Sequence, residues 1–455
     1  MRSAILLALM CAAAPAIAQE DSDLNRIPSS VENPASPSQS APSHGKYFLE
    51  DAFSLSSWRG TFAVPYPVPR ASTWANRTSL DALDQWALSD DLTVSFSDRF
   101  DVGFAEGTRF PVDAVRNDFR EGYVTWEPAP DTYLEAGRIN VRNGIAFGFN
   151  PTDFFKTRTR VAQSSADPSA LRANRLGTVM FRGQTIWGSG ALSLDYAPKL
   201  RTPTPLTATG DWIDPGFGQT NGSDRFLATL SLDVGDWDPQ ALIYHEGGRT
   251  KFGLNASHLV GQSIVAYGEW AGGTAPDLIA RAIAFGKATG SLPAAMAALP
   301  PTRTTSTFQN DLAVGAYWTG ENKVTVSLEY EFHQAGFSGR DWHDWFAIGA
   351  ADPAAAPGLW YIRAYASDQQ EPMSRHQAFA RVSWDDAFIL HLGLSAFVLA
   401  DLRDGSTTAQ ISAGYDASDS WSIAAYAGGT FGGARSEWGS LPGAANVIFQ
   451  VTRYL

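Results

Sequence analysis

The chain has one cysteine, Cys11, in 455 residues. It lies within an N-terminal apolar run, so the segment that folds beyond it has no disulfide framework, no thiolate zinc site and no cysteine nucleophile. Long apolar runs are missing too: none approaches the ~18–20 residues of a membrane-spanning helix. The seven histidines are scattered, and neither a G-x-S-x-G elbow nor an H-E-x-x-H motif is present. No enzyme, no metal and no cofactor is therefore expected. The competing enzymatic reading, an outer-membrane lipid hydrolase, would need Ser, His and a carboxylate gathered near an outer rim. Cations are in deficit, 34 Lys and Arg against 47 Asp and Glu, with net charge −13 and pI near 5.0. That balance speaks against nucleic-acid binding.

What is present begins with an address. Met1-Arg2, an apolar run from Ala4 to Ala14 and Ala16-Ile17-Ala18 read as a secretory signal peptide over 1–18. Met10 is not the small residue that a lipoprotein site would place before Cys11. Residues 19–45 are polar and rich in Ser and Pro, a flexible lead-in too short for a plug domain. The rest, 46–455, is expected to fold as one unit.

That unit alternates. In Val324–His333, Val324, Val326, Leu328, Tyr330 and Phe332 take one face; Thr325, Ser327, Glu329, Glu331 and His333 take the other. Stretches from Arg225 and from His376 behave alike, and Leu390–Ala400 does so with breaks at Phe397 and Leu399. Such runs are strands with one apolar and one polar face. Short turns alternate with long connections along the chain, which is the pattern of a transmembrane antiparallel β-barrel with short periplasmic turns and long outer loops. The count is 18 strands, or 16 if 47–57 and 77–88 are not strands. Aromatics near strand ends (Trp126, Trp187, Trp318, Trp421) suit interfacial belts. The final strand, Val447–Leu455, resembles the C-terminal assembly signal of outer-membrane proteins, implying the barrel-assembly machinery and outer-membrane lipid as partners. Arg453 falls on its lipid-facing parity and must sit at the interface.

Against the acidic whole, residues 135–182 are basic: Arg138, Arg142, Lys156, Arg158, Arg160, Arg172, Arg175 and Arg182 face only Glu135, Asp153 and Asp167. In an 18-strand count the core of this segment, 140–177, is the third outer loop. Gly144, Gly148 and Asn150-Pro151 suit a sharp change of direction. Phe147, Phe149, Phe154 and Phe155 suit docking on an inner wall. Guanidinium forks in a confined lumen favour carboxylate, phosphate or sulfate. A rival arrangement pairs these cations with the lumen carboxylates Glu329, Glu331, Asp195 and Asp233, leaving a mixed field and weak selectivity.

The run GRINVRNGIAFGFNPTDFF, with the spaced arginines and LRANRLG after it, resembles the early loop of Gram-negative outer-membrane porin-like barrels, including alginate-export-type and related barrels. The likeness covers about a tenth of the chain. It implies an outer-membrane channel of about 18 strands with an arginine-bearing pore, the basic positions being Arg138, Arg142, Arg158, Arg160, Arg172 and Arg175. The expected function is passage of small polar, preferably anionic, solutes; uptake of hydrophobic compounds is a further alternative. Oligomeric state stays open. Two more leads are a helix over part of Pro276–Leu299, as a lid or as loop packing, and Trp342, Trp345 and Trp360, as sugar-stacking rings or as the core of their own loop.

Overall fold

The computed structural model describes residues 45–455 except 69–71, 111–113, 207–213, 293–299, 301 and 303. The expected signal peptide and all but the last residue of the lead-in lie outside the described residues. The first strands are β1 Lys46–Trp58, β2 Trp74–Ser89, β3 Leu92–Ala105, β4 Val115–Ala129, β5 Thr132–Ile139 and β6 Thr178–Trp187. Then come β7 Gly190–Ala197, β8 Arg225–Leu232, β9 Gln240–Glu246, β10 Arg249–Val260, β11 Ile264–Ala275 and β12 Thr307–Thr319. The last are β13 Val324–His333, β14 His376–Trp384, β15 Leu392–Asp401, β16 Thr407–Ser418, β17 Trp421–Phe431 and β18 Gly443–Tyr454. Each pairs antiparallel with the next, and β1 pairs with both β2 and β18, Phe48 opposite Tyr454 and Phe53 opposite Phe449. The sheet is a closed 18-stranded barrel, so every strand has two neighbours and no edge is left for lipid to meet.

The long connections all fall at one end: L1 59–73, L2 106–114, L3 140–177, L4 198–224, L6 276–306, L7 334–375 and L9 432–442, with L5 247–248 and L8 402–406 short. Turns at the other end are as brief as 90–91 and 130–131. Alternation sets the faces. On β13, Ser327, Glu329, Glu331 and His333 are buried towards the lumen, while Leu328 and Tyr330 stand exposed outside. Trp86, Trp126, Trp187, Trp318 and Trp421 are exposed at the ends nearest the short turns, forming an interfacial belt. Arg453 lies 5.0 Å over the Trp421 ring, holding its charge at that belt. Among the described residues, no helix is long and apolar enough to cross a membrane; the crossing is made by strands.

Among the described residues, five short α-helices occupy the loops: α1 Pro168–Ala173 in L3, α2 Phe217–Thr220 in L4, α3 Leu278–Thr289 in L6, and α4 Gly339–Ala351 with α5 Ala356–Gln369 in L7. The caps explain where two of them start. Asp277 accepts from the N–H of Ala280 to open α3, and Ser338 with Asp341 forms a capping box for α4. Leu278 and Ile279 of α3, Trp342, Trp345 and Phe346 of α4, and Leu359, Trp360 and Ile362 of α5 pack into one core with Val64 of L1. This is a cap with its own apolar interior. The indole N–H groups are satisfied within it: Trp345 donates to Leu359 O (3.1 Å), Trp360 to Pro65 O (2.9 Å) and Trp342 to Ser374 Oγ (2.8 Å). The lid helix and the tryptophans of L7 are thus the interior of a folded loop assembly. Arg363 sits 5.3–5.5 Å from the rings of Trp342, Trp345 and Trp360 and donates to Glu437 O and Ser440 Oγ of L9.

Candidate functional site

L3 turns inward and crosses the lumen, and its backbone explains how. Glu269 of β11 accepts from the N–H of Ile145 (2.9 Å), Ala146 (3.1 Å) and Thr152 (2.7 Å), and from the Thr152 hydroxyl. Glu329 of β13 accepts from the N–H of Phe147 (2.8 Å), Gly148 and Phe149 (both 3.1 Å), and from the Tyr267 hydroxyl (2.8 Å). Two wall carboxylates therefore take up the donors of a segment with no ladder partner of its own. Glycine makes the approach possible. A Cβ at Gly144 (φ +88°) would overlap the Glu269 carboxylate, and one at Gly148 would overlap that of Glu331 and stand 2.8 Å from Phe379.

Apolar contacts follow the same path. Ile145, Ala146 and Phe147 pack on Tyr267, Ala313, Phe379 and Phe397 from the lumen faces of β11, β12, β14 and β15. Phe154 and Phe155 pack on Met180, Leu227, Leu242 and Tyr244 from β6, β8 and β9. Further on, Ala166 N donates to Gln410 of β16 (2.9 Å), and Asp167 accepts from Arg381 of β14 (2.8 Å). The loop thus touches lumen faces on both sides of the barrel.

Most of the eight cations of 135–182 are engaged at close range. Arg175 makes a two-pronged pair with Asp153 (2.8 and 3.0 Å) and donates to Asn140 Oδ1 and Val141 O. Arg172 donates to Asn143 O and Gly144 O (2.7 Å each), with Asp153 at 3.6 Å. Lys156 donates to Asn150 O (2.6 Å) over the Phe149 ring. Arg158, in a left-handed conformation (φ +61°), is fixed by its own N–H to Asp368 O and its guanidinium to the Asp368 carboxylate, each at 2.9 Å. Arg160 is exposed, with Ser367 Oγ at 3.5 Å. Arg182 faces the lumen beside Asp195 (3.4 Å) and Glu135 (3.5 Å). Arg142 and Arg182 line a narrow polar cavity beneath L3 together with Ser193, Asp195, Thr229 and Gln240.

Two expected positions fall elsewhere. Arg138 shares its strand face with Leu134 and Ala136, outside the barrel, where it is buried under L4. It donates to Gly177 O (2.9 Å) and to Pro215 O, and lies 5.8 Å from the rings of Phe119 and Phe217. Asp233 is exposed in the turn between β8 and β9, at the opposite end from the loops. Glu329, Glu331 and Asp195 do lie on the lumen face, but they are buried beneath L3 and do not line open water. L3 thus meets the acidic wall largely with backbone N–H groups, while Arg175 and Arg158 pair with Asp153 of L3 and Asp368 of L7.

A charged array on β1–β4 was not anticipated. Arg99 binds Glu50 (2.7 Å), Asp81 (3.0 Å) and Asp101 (2.9 Å); Arg77 binds Glu50 (2.8 Å), Arg120 binds Asp81 (2.8 Å) and Arg116 binds Asp118 (2.8 Å). Its trace in the sequence is spacing by two, Arg77-x-Ser79-x-Asp81, Arg99-x-Asp101 and Arg116-x-Asp118-x-Arg120, which puts each set on one strand face. Arg77 also donates to Ser164 of L3 (3.2 Å), joining array and loop. The histidines are held by local partners: His333 by Asp311 (2.6 Å), His376 by the Tyr330 hydroxyl (2.8 Å) and His245 by Thr250 (3.0 Å). Among the described residues, no group of His, Cys, Asp and Glu is placed to hold a metal ion.

A closed transmembrane barrel of 18 antiparallel strands, with its third loop drawn into the lumen, is a porin-like β-barrel. Among solved structures, Pseudomonas aeruginosa OccK11 (OpdR) aligns over 90% of this chain and 95% of its own, with TM-score 0.50 and 11% identity. Mutants of the Rh. blastica porin align over 90% of this chain and 99% of theirs, with TM-scores of 0.40–0.41 and 8–9% identity. At 11% identity the likeness to OccK11 is one of fold. No protein-family model and no curated protein matches the chain.

Proposed function

We propose that this chain is a channel of the bacterial outer membrane that passes small polar solutes and favours anions. The observation that carries the anion preference is an asymmetry within three of the ion pairs. Arg116 is 48% exposed beside Asp118 at 4%, Arg172 22% beside Asp153 at 1%, and Arg182 20% beside Asp195 at 1%. In each, the carboxylate is buried and the guanidinium is the more exposed partner. A solute thus meets positive charge first, although the chain as a whole is acidic. The pairing weakens the field without reversing its sign at the water's edge, so the preference is modest. L3 supports the same reading as the constriction, with Arg160 exposed on it.

The test is planar-bilayer recording under a salt gradient, comparing the wild type with a variant carrying Arg77→Ala, Arg116→Ala, Arg160→Ala and Arg182→Ala. The expected result is a reversal potential of the anion-selective sign that moves towards zero in the variant. A cation-selective wild type, or a variant indistinguishable from it, would remove the anion preference and leave the channel reading standing. A refolded protein that does not conduct at all would remove the channel.

A further inference from the structure

The lumen wall of β6–β9 differs from the arginine array of β1–β4. Towards the short turns its inward positions carry neutral amides and hydroxyls: Gln184 on β6, Ser193 on β7, Thr229 and Ser231 on β8, and Gln240 on β9. The register sets them side by side, Gln184 opposite Ser193, Ser193 opposite Thr229 and Ser231 opposite Gln240. Residues 141–145 of L3 close over this patch and leave a cavity of about 50 Å³, room for about four waters. The roof is held in place from several sides. Arg175 donates to Val141 O (2.6 Å), Arg172 to Asn143 O and Gly144 O (2.7 Å each), and Ile145 N to Glu269 (2.9 Å). A solute entering there meets a preformed site and need not order it.

Two buried groups of the lining have no hydrogen-bond partner among the described residues: Asn143 Nδ2 in the roof and Thr229 Oγ1 in the wall. Each such group costs about 1–3 kcal/mol, and two around one cavity point to a guest that completes them. Ser231 Oγ accepts from Gln240 Nε2 (2.9 Å), which leaves its own proton to give. Charge decides what kind of guest fits. Arg182 stands between Asp195 (3.4 Å) and Glu135 (3.5 Å), so an anion held there would face two carboxylates as well as the guanidinium. A hydroxyl can accept from the arginine or an amide and donate to a carboxylate or an amide oxygen, which is what this lining offers.

We propose that this cavity is a binding subsite for a small neutral polyol of three or four carbons; passing anions are drawn by the lumen arginines but not held here. The proposal rests on the channel reading only for the route by which a solute arrives. The test is saturation-transfer-difference NMR of the protein purified from outer membranes in detergent, with erythritol as the probe. The wild type should give a signal that saturates with erythritol and survives an equal concentration of succinate. Gln184→Leu with Thr229→Val should lower that signal about fivefold or more. If the pair does not fold, Thr229→Val alone serves, with a loss of about threefold expected. Because its hydroxyl has no protein partner, that change should leave heat resistance intact. Planar-bilayer conductance of the same preparation separates the two readings. A conducting wild type with no saturable erythritol signal overturns the subsite and leaves the channel; a protein that binds erythritol without conducting supports the subsite and removes the channel. A signal that both variants retain, or one that succinate displaces, would also overturn the proposal.

Discussion

Two walls of this barrel handle charge in opposite ways. On β1–β4 the strands carry arginine and carboxylate together, and the array closes on itself through Arg99, Arg120 and Asp81. On β11–β13 the strands carry Glu269, Glu329 and Glu331 without strand-borne arginines beside them, and Glu269 and Glu329 find their partners largely in the L3 backbone. The first wall is complete as a sheet. The second is complete only with a loop folded onto it. Carboxylates on a lumen face that lack cations of their own are the mark of the segment that will come to meet them.

The sharpest way to break this contrast is Glu329→Ala. It removes the acceptor of three backbone N–H groups, and hydrogen bonds to a charged group are worth about 1.5–3 kcal/mol each. L3 should leave the wall, seen as a severalfold rise in single-channel conductance and proteolytic cutting within 145–150; unchanged conductance would mean that the carboxylate does not hold the loop. Arg175→Ala comes next, because it leaves Asp153 buried without its two-pronged partner, at a cost of about 3–5 kcal/mol. Noisier current from a loop still anchored at Glu329 is expected, and a quiet trace would count against it. Gly148→Ala tests the close approach itself. Overpacking against Glu331 and Phe379 should weaken docking by about 1–3 kcal/mol, read as faster hydrogen exchange in L3.

A fourth prediction concerns the outer rim. Burial above all, with Asp401 beside it, pushes Glu437 of L9 up to about 8. The folded seam between L7 and L9 therefore holds a proton that the unfolded loop gives up in the ordinary glutamate range. Its stability is full below that range, falls as pH rises towards about 8, and then levels. Proteolysis of 432–442 should quicken across that window, and Glu437→Gln should abolish the dependence; a flat wild-type profile would refute it. The smallest effect belongs to Arg160→Ala. Its exposed side chain, with Ser367 Oγ at 3.5 Å, should leave folding unchanged when removed and shift the reversal potential slightly. A large loss of stability there would show that the loop relies on it.

Much of the barrel was legible because alternation and loop length are local properties. The strands and their long-loop end follow from them, with the count left at 18 or 16, and Gly144, Gly148 and four phenylalanines suit the third loop to an inward turn without requiring it. Arg138 was misplaced although its face could have been read: it shares parity with Leu134 and Ala136, and the pull of a basic cluster overrode the period of two. Phe397 and Leu399 were visible as breaks in alternation, yet their cause was hidden. Phe397, with Phe379, is apolar on the wet face because Phe147 arrives there from residues 230 positions or more away in the chain. Pairing among side chains, which neutralises most of the third loop, is likewise a property of the closed fold and not of any stretch within it.

Among the described residues, two sets of tryptophans stand in opposite surroundings. Trp342 and Trp345 lie fully buried in the cap, with Arg363 against their rings, whereas Trp126, Trp187 and Trp421 face the bilayer. Brominated lipids will quench the second set and spare the first, so intrinsic fluorescence separates insertion of the cylinder from consolidation of its roof. The roof's core is drawn from L1, L6 and L7, which the strands must first bring to the same rim. The membrane-embedded part is thus the template on which the water-exposed part is built.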